Sequence, residues 1–587
     1  MGDVGGSLGM QRALVPVAER SRPAALYRIP VTLMLLGLFT MALQAGQPLL
    51  GLAMLMTAVT TTLGFAWRAG NRQGTEVSKL RSEGDARLAD GRYGEARALY
   101  ERSLALAERE LPPAAPEVLL NYYSLAAVSS MMHDHARAGR YLEELMQGLG
   151  DRVPAPWSGH VAWLMRRVAH HHSQQGEHAE ADRLCRRALD LVGDAPGADD
   201  NSVRSLLDDL AWIQHHAGQY VEAERLFREV LAIHEQFRDL TLELAQRPRR
   251  GAGSGRSPYR EPGPATVSTS GGLDRAVAFS LLGLGWTIYE RGRYDEARRC
   301  FDRAGLIARR LSTAEGEDGP SAAHRGLWVE VSRGRAAVAV TLGDYGLAEA
   351  CYQEAQRQLV VETDEVSQRV ALLVDMGWLA RCRERYEQAE ALGSEAQALV
   401  EQGGGMPSVA SALHESLAEL RRRQGRAREG QRHIEIALST AERCLGAEHP
   451  RVASILAVAA RLHVARSELH EAERLARRSL SLVETSLGAE HPRSAEAYLA
   501  LGEVQLARGQ VGAAERSTSL ALARRQRALG PEHPELSEIL DAQVAVLRAS
   551  AREDEVGPLL ERRARLRERL DAPRAGAAAS DSIADQP

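Results

Sequence analysis

The chain has 587 residues, 44% of them hydrophobic but only 5% aromatic, with a net charge of −5. This balance provides no basic footprint for nucleic acid, and β-branched runs with period-two alternation are scarce. Cys185, Cys300, Cys351, Cys382 and Cys444 are an odd, widely spaced set without CxxC, which excludes a disulfide framework and suits small core residues in a reducing compartment.

In chain order, a basic leader (1–28) comes first, and Ile29 to Trp67 then contains no charged residue. One helix of that length would measure about 58 Å, twice the hydrocarbon thickness of a bilayer. Gly46-Gln47-Pro48 breaks it into Ile29–Ala45 and Leu49–Trp67, because Gly ends helices and Pro starts them. Arg12, Arg20, Arg22 and Arg28 precede the pair, and Arg68, Arg72, Lys79 and Arg81 follow it. Positive charge on both sides predicts a transmembrane hairpin with both ends in the cytoplasm. A cleaved signal peptide fits less well, since the leader is long, Leu43 is a poor residue before the cleavage point and a second apolar run follows. A single span, which would place the rest outside, is the remaining alternative. No ionisable group lies at membrane depth, so transport chemistry is not indicated. Lys79 is the sole lysine among 73 basic residues, a bias that suggests a GC-rich bacterial genome.

From Val77 a helical hairpin can be traced eleven times. Its first helix carries a small residue at Gly84, Ala126, Ala169, Ala211, Gly285, Ala336, Gly377, Ala418, Ala460 and Gly502, then Val544. Twelve residues after each comes a second: Ala96, Ala138, Ala181, Ala223, Ala297, Ala348, Ala389, Gly430, Ala472 and Ala514, then Val556. Small residues at both places let two helices approach where they cross. The turns read GRYGEA (91–96), GQYVEA (218–223) and GRYDEA (292–297), with Glu384 in place of glycine in the seventh hairpin. A large side chain follows the second small site by four residues at Tyr100, Leu142, Phe227, Phe301, Tyr352 and Leu560. The last hairpin, with valine at both small sites, reads as a terminal cap. Near the end the connectors LGAEHP, LGAEHP and LGPEHP place Pro450, Pro492 and Pro534 at 42-residue intervals. Leu-Gly would close one helix with glycine in the left-handed conformation, and Pro would open the next.

This pattern resembles the tetratricopeptide repeat over residues 77–570, and the LGxEHP connectors resemble its kinesin-light-chain and nephrocystin-like subset. The resemblance implies an all-α, right-handed superhelix, an α-solenoid of about eleven hairpins, here preceded by the transmembrane hairpin. The heptad coiled coil of kinesin light chains is missing, so a motor-cargo role is not implied.

Two stretches interrupt the rhythm. The Arg-, Gly-, Pro- and Ser-rich run 245–273 separates hairpins 1–4 (77–244) from hairpins 5–11 (274–570) and reads as a flexible insert. A shorter loop spans 312–323, and the composition of 571–587 is that of a disordered tail.

No GxxxxGK[ST], GxSxG, HExxH or kinase catalytic loop is present, so neither an enzyme nor a cofactor site is indicated. His170, His171, His172, His215 and His216 suggest a metal at first sight, yet consecutive histidines point in different directions on a helix. The connector histidines read as structural helix-start residues.

In the related arrays the first helices line a concave groove that binds peptides. The residues three before, one after and four after each small site share one stripe. They include Arg166 and His170; Asp208, Trp212 and His215; Trp286 and Tyr289; Arg333; and Trp378 and Arg381. Trp, Tyr and Arg are favoured hot-spot residues, although tryptophans here could equally pack between neighbouring helices. The Lys/Asn carboxylate clamp of chaperone-binding relatives is absent. The expectation is a non-catalytic scaffold at a bacterial inner membrane, its array in the cytoplasm, holding an unidentified protein or peptide, with 29–67 in the lipid bilayer. The rivals are an accessory subunit of a signalling system, whose kinase or regulator lies on another chain, and an exported periplasmic adaptor.

Overall fold

Residues 75–570 are described by a computed structural model, apart from 133, 151–152, 154, 194–199, 247–264, 315–321, 360–365 and 404–406. The leader, the expected membrane hairpin at 29–67 and the tail at 571–587 lie outside the described residues. Among the described residues no helix is long and apolar enough to cross a membrane. These residues form 22 α-helices and no strand.

The helices are α1 (Thr75–Ala89), α2 (Tyr93–Glu110), α3 (Pro116–Met131), α4 (His135–Leu149), α5 (Ala155–Gln174), α6 (His178–Gly193), α7 (Asp200–His216) and α8 (Tyr220–Gln246). They continue as α9 (Ala265–Glu290), α10 (Tyr294–Ala314), α11 (Ala322–Thr341), α12 (Tyr345–Gln358), α13 (Val366–Cys382), α14 (Tyr386–Gly403), α15 (Pro407–Arg423) and α16 (Ala427–Leu445). The last are α17 (Pro450–Ala465), α18 (Leu469–Ser486), α19 (Ser494–Ala507), α20 (Val511–Leu529), α21 (Leu536–Ala549) and α22 (Val556–Glu568). Odd helices are the first and even helices the second of each hairpin. The chain divides into two units between Ile213 and Gln214, within α7.

The insert is shorter than its composition indicates. Helix α8 runs on to Gln246 and α9 starts at Ala265, so both ends of the expected loop at 245–273 are helical. Continuing an established helix adds one hydrogen bond per residue ordered, enough to carry α9 back through Gly271 and Gly272.

Helix contact follows the small sites. Ala126, Ala138, Ala169 and Ala181 in the first unit, and Ala336, Ala348, Ala460 and Ala472 in the second, are fully buried. A Cβ on Gly430 would stand 3.1 Å from the Ala418 carbonyl oxygen and 2.8 Å from Leu462 Cδ2, so the two small sites of that hairpin are in contact. Tyr100, Phe227, Phe301 and Tyr352 fill the space beside them and are essentially inaccessible to solvent. The ring of Phe301 lies against Gly285, where a Cβ would be 2.8 Å from it, and also against Gly334 of the next hairpin. Val544 and Val556 pack together with Leu547 where the other hairpins use Gly and Ala.

First helices are buried on most sides. In α17, Val452, Ala453, Ile455, Leu456, Ala457, Ala459, Ala460 and Leu462 are all covered, whereas its partner α18 buries one stripe. This follows from stacking, because a first helix contacts its own second helix and both neighbouring hairpins.

Turn glycines take positive φ, as at Gly218 (76°) and Gly509 (75°). Glu384, Ser467 and Ala551 hold the equivalent place at 56°, 63° and 56°. The connector glycines differ from the expected left-handed cap. Gly446 has φ 92° and ψ 150°, and Gly530 has φ 90° and ψ 164°. That extended mirror region is open essentially to glycine alone. After it, His449 caps α17, its Nδ1 accepting from Arg451 N at 3.1 Å. His491 and His533 do the same for Arg493 N and Glu535 N at 3.2 Å each. Pro450 opens α17, but Pro492 and Pro534 sit in the turn just before α19 and α21.

Candidate binding face

The predicted stripe joins consecutive first helices by polar pairs. In the first unit Arg166 on α5 bonds Asp209 on α7. In the second, His215 Nδ1 lies 3.0 Å from Thr287 Oγ1. The Thr287 hydroxyl also reaches the Gly283 carbonyl, at 2.8 Å. The Tyr289 and Thr341 hydroxyls are 2.8 Å apart. Arg333 Nε donates to Asp375 Oδ2 at 2.9 Å, and Arg461 grips Glu503 at 2.7 and 2.8 Å. Arg381 reaches the Ser416 carbonyl at 3.2 Å beside a small apolar cleft lined by Val374, Gly377, Leu413 and Leu417.

The aromatic members stay partly open. Trp286 sits edge-on to Phe301 and Tyr289, with ring centroids 5.2 and 5.8 Å apart. Trp378 packs on the cluster around Tyr352, and Trp212 is partly buried. His170 is exposed.

Asp208 is hemmed in by protein yet still partly open, and its Oδ1 has no hydrogen-bond partner. Burial, then the neighbouring Asp209 charge, pushes its carboxyl up to about 7. Burial, then the Arg451 guanidinium, lowers His215 to about 4. Burial likewise raises the Cys185 and Cys382 thiols to about 12, so neither is a poised nucleophile. Among the described residues no three His, Cys, Asp or Glu side chains come together as metal ligands, and His171 instead stacks on His135 at 4.5 Å.

A second contact system, absent from the sequence expectations, lies within the second unit. The turns before α8, α10 and α12 touch the connectors before α17, α19 and α21. A Cβ on Gly218 would come 2.6 Å from Pro450, one on Gly292 2.8 Å from Pro492, and one on Gly343 2.9 Å from His533. His491 Nε2 donates to the Glu290 carbonyl at 3.0 Å, and Arg493 pairs with the Glu290 carboxylate at 2.6 Å. With Nδ1 accepting and Nε2 donating, His491 is held neutral. Burial, then the Arg493 charge, lowers it to about 4. Each turn is thus matched to the connector five hairpins later, in three successive steps. The motifs themselves are visible, as G-x-Y in hairpins 4–6 and H-P-x before hairpins 9–11, but nothing local says that they meet.

Charges fill the remaining space. Glu538 on α21 accepts from Arg423 at 2.8 Å, Arg461 at 2.6 Å and Arg422 at 2.5 Å. Glu419 holds Arg422 and Arg423 at 2.7 and 2.8 Å. Burial pushes the Glu538 carboxyl up, but Arg461, Arg423 and Arg422 outweigh it and hold it well below the usual range.

Two family models match the chain. One, described as the MalT-like TPR region, covers residues 330–567, and one described as a tetratricopeptide repeat covers 160–236. Residues 160–236 and 330–567 are thus matched as tetratricopeptide-repeat regions. Solved structures that match include BtubC (BKLC) from P. vanneervenii, 22% identical, covering 40% of this chain and 96% of that one with TM-score 0.30. The apo form of RapI is 11% identical over 70% of this chain and 98% of its own, with TM-score 0.47. A putative kinesin light chain from P. anserina with nearly identical TPR-like repeats is 18% identical over 36% and 99%, with TM-score 0.27. No curated protein matches.

Proposed function

We propose that this chain is a membrane-tethered, non-catalytic scaffold that holds a protein or peptide partner on the first-helix face of its array. The carrying observation is Trp286 and Trp378 at one register position in the second unit, each partly open while the surrounding first helices are buried, with Trp212 at the same register in the first unit. Rigid aromatic surface with a polar edge binds at low entropic cost. The uncharged stretch 29–67 supports anchoring in a bacterial inner membrane, with the array in the cytoplasm. Confinement there raises the partner's effective concentration for other membrane-bound components.

Proximity labelling from the C-terminus, repeated with Trp212, Trp286 and Trp378 changed to Ala, tests the face. Loss of specific labelled proteins is expected, and an unchanged set rejects the assignment. Alkaline phosphatase fused after Pro587 should be inactive, and activity would place the array outside the cytoplasm.

A further inference from the structure

The turn-to-connector contacts tie hairpins 4–6 to hairpins 9–11 through the Glu290–Arg493 ion pair and the His491–Glu290 hydrogen bond. The residues of the binding stripe that lie in these hairpins spend their polar groups inside the array: His215 on Thr287 and Tyr289 on Thr341. We infer that these contacts form an intramolecular clasp that regulates access to the first-helix face of the second unit, opening it to a partner and closing it when empty. The inference rests on the proposed binding role of that face.

The clasp has the features of a reversible contact. At each of its three points a glycine with φ near 76° meets the side chains of a histidine-proline pair. The central point adds an ion pair and a hydrogen bond between side chain and carbonyl. Each hairpin, by contrast, buries a continuous apolar core of its own, as around Ala460 and Ala472. Local opening at these points leaves the hairpin cores intact. A face whose polar groups are already paired among themselves offers a ligand little until that arrangement loosens.

Hydrogen exchange on the full chain tests this without a partner, so its outcome is independent of the partner search. Glu290→Arg on one side and Arg493→Ala on the other should each raise exchange about tenfold at both 288–295 and 489–495. Amides inside α18 should stay protected. Glu290→Gln, which keeps the backbone contacts, should give a smaller joint rise and serves if the stronger variants unfold. A Ser416→Cys reporter on the face should react with a bulky maleimide faster in the open variants, by a similar factor. Exchange that rises only in the segment carrying the substitution, or a reporter indifferent to all three changes, overturns the clasp.

Discussion

Arg333 on α11 donates its Nε to Asp375 Oδ2 on α13 at 2.9 Å, while its Nη1 reaches Glu330 at 2.9 Å on the same helix. A residue placed by sequence on a partner-binding stripe is thus committed to the neighbouring hairpin. Removing the guanidinium strips a buried carboxylate of its main counter-charge, since burial raises Asp375 and Arg333 is the largest opposing influence. Arg333→Ala should therefore destabilise the second unit by about 3 kcal/mol, whereas Arg333→Met with Asp375→Leu should recover most of the loss. Denaturant midpoints of the three chains decide it.

Ala551 holds φ 56° and Ser467 63° where other turns have glycine. A left-handed conformation costs a residue with Cβ about 1–2 kcal/mol, offset in part by glycine's freedom when unfolded. Ala551→Gly and Ser467→Gly should each raise the thermal midpoint slightly, by about 0.5–1 kcal/mol of stability, and Gly509→Ala should lower it.

Gly334 faces the ring of Phe301 from the following hairpin. Gly334→Ala is expected to cost about 1–3 kcal/mol through overpacking. Phe301→Leu alone should also destabilise, but in the double variant the two costs should add to less than their sum. A thermal-melt double-mutant cycle measures the coupling.

His491 is neutral in the fold and lowered to about 4, against 6.5 for a free imidazole. The folded value is the depressed one, so its contribution is present above pH 6.5 and drains away as pH falls towards 4. On the order of 2 kcal/mol is lost across that window. His491→Asn should flatten this part of the stability profile.

Asp208 has the opposite sign. Its folded value of about 7 lies above the 3.8 of a free carboxyl, so the folded chain holds the extra proton between them. Stability falls as pH rises from 4 to 7 and stays low above. Asp208→Asn should gain on the order of 2 kcal/mol at pH 8 and little at pH 4, read from denaturant midpoints in the first unit.

Hairpin count and order were legible because each depends on local rules. Small residues twelve apart set the crossing, glycine ends helices, and His449-Pro450 starts one. The stripe itself was legible too, since three- and four-residue offsets fix a helix face. What that face does was not. Arg333, Tyr289 and His215 carry the residue types of a binding surface, yet their partners Asp375, Thr341 and Thr287 lie one hairpin away and were assigned no role. The 201-residue link from Glu290 to His491 was beyond reach, because it depends on how many hairpins complete the return path, a sum of small rotations that no motif states. The ends of the insert were missed for a simpler reason: composition reports what a segment disfavours, and a neighbouring helix can extend into it regardless.

The matching of each turn to a connector five hairpins downstream has a consequence for how such a chain can evolve. An open array tolerates duplication or loss of a unit, since every unit meets only its neighbours. Here one unit gained or lost between α13 and α16 would bring Gly292 opposite the wrong partner and shift all three pairings at once. Repeat number in this stretch behaves like the tooth count of a gear, free to change only together with the wheel it meshes with.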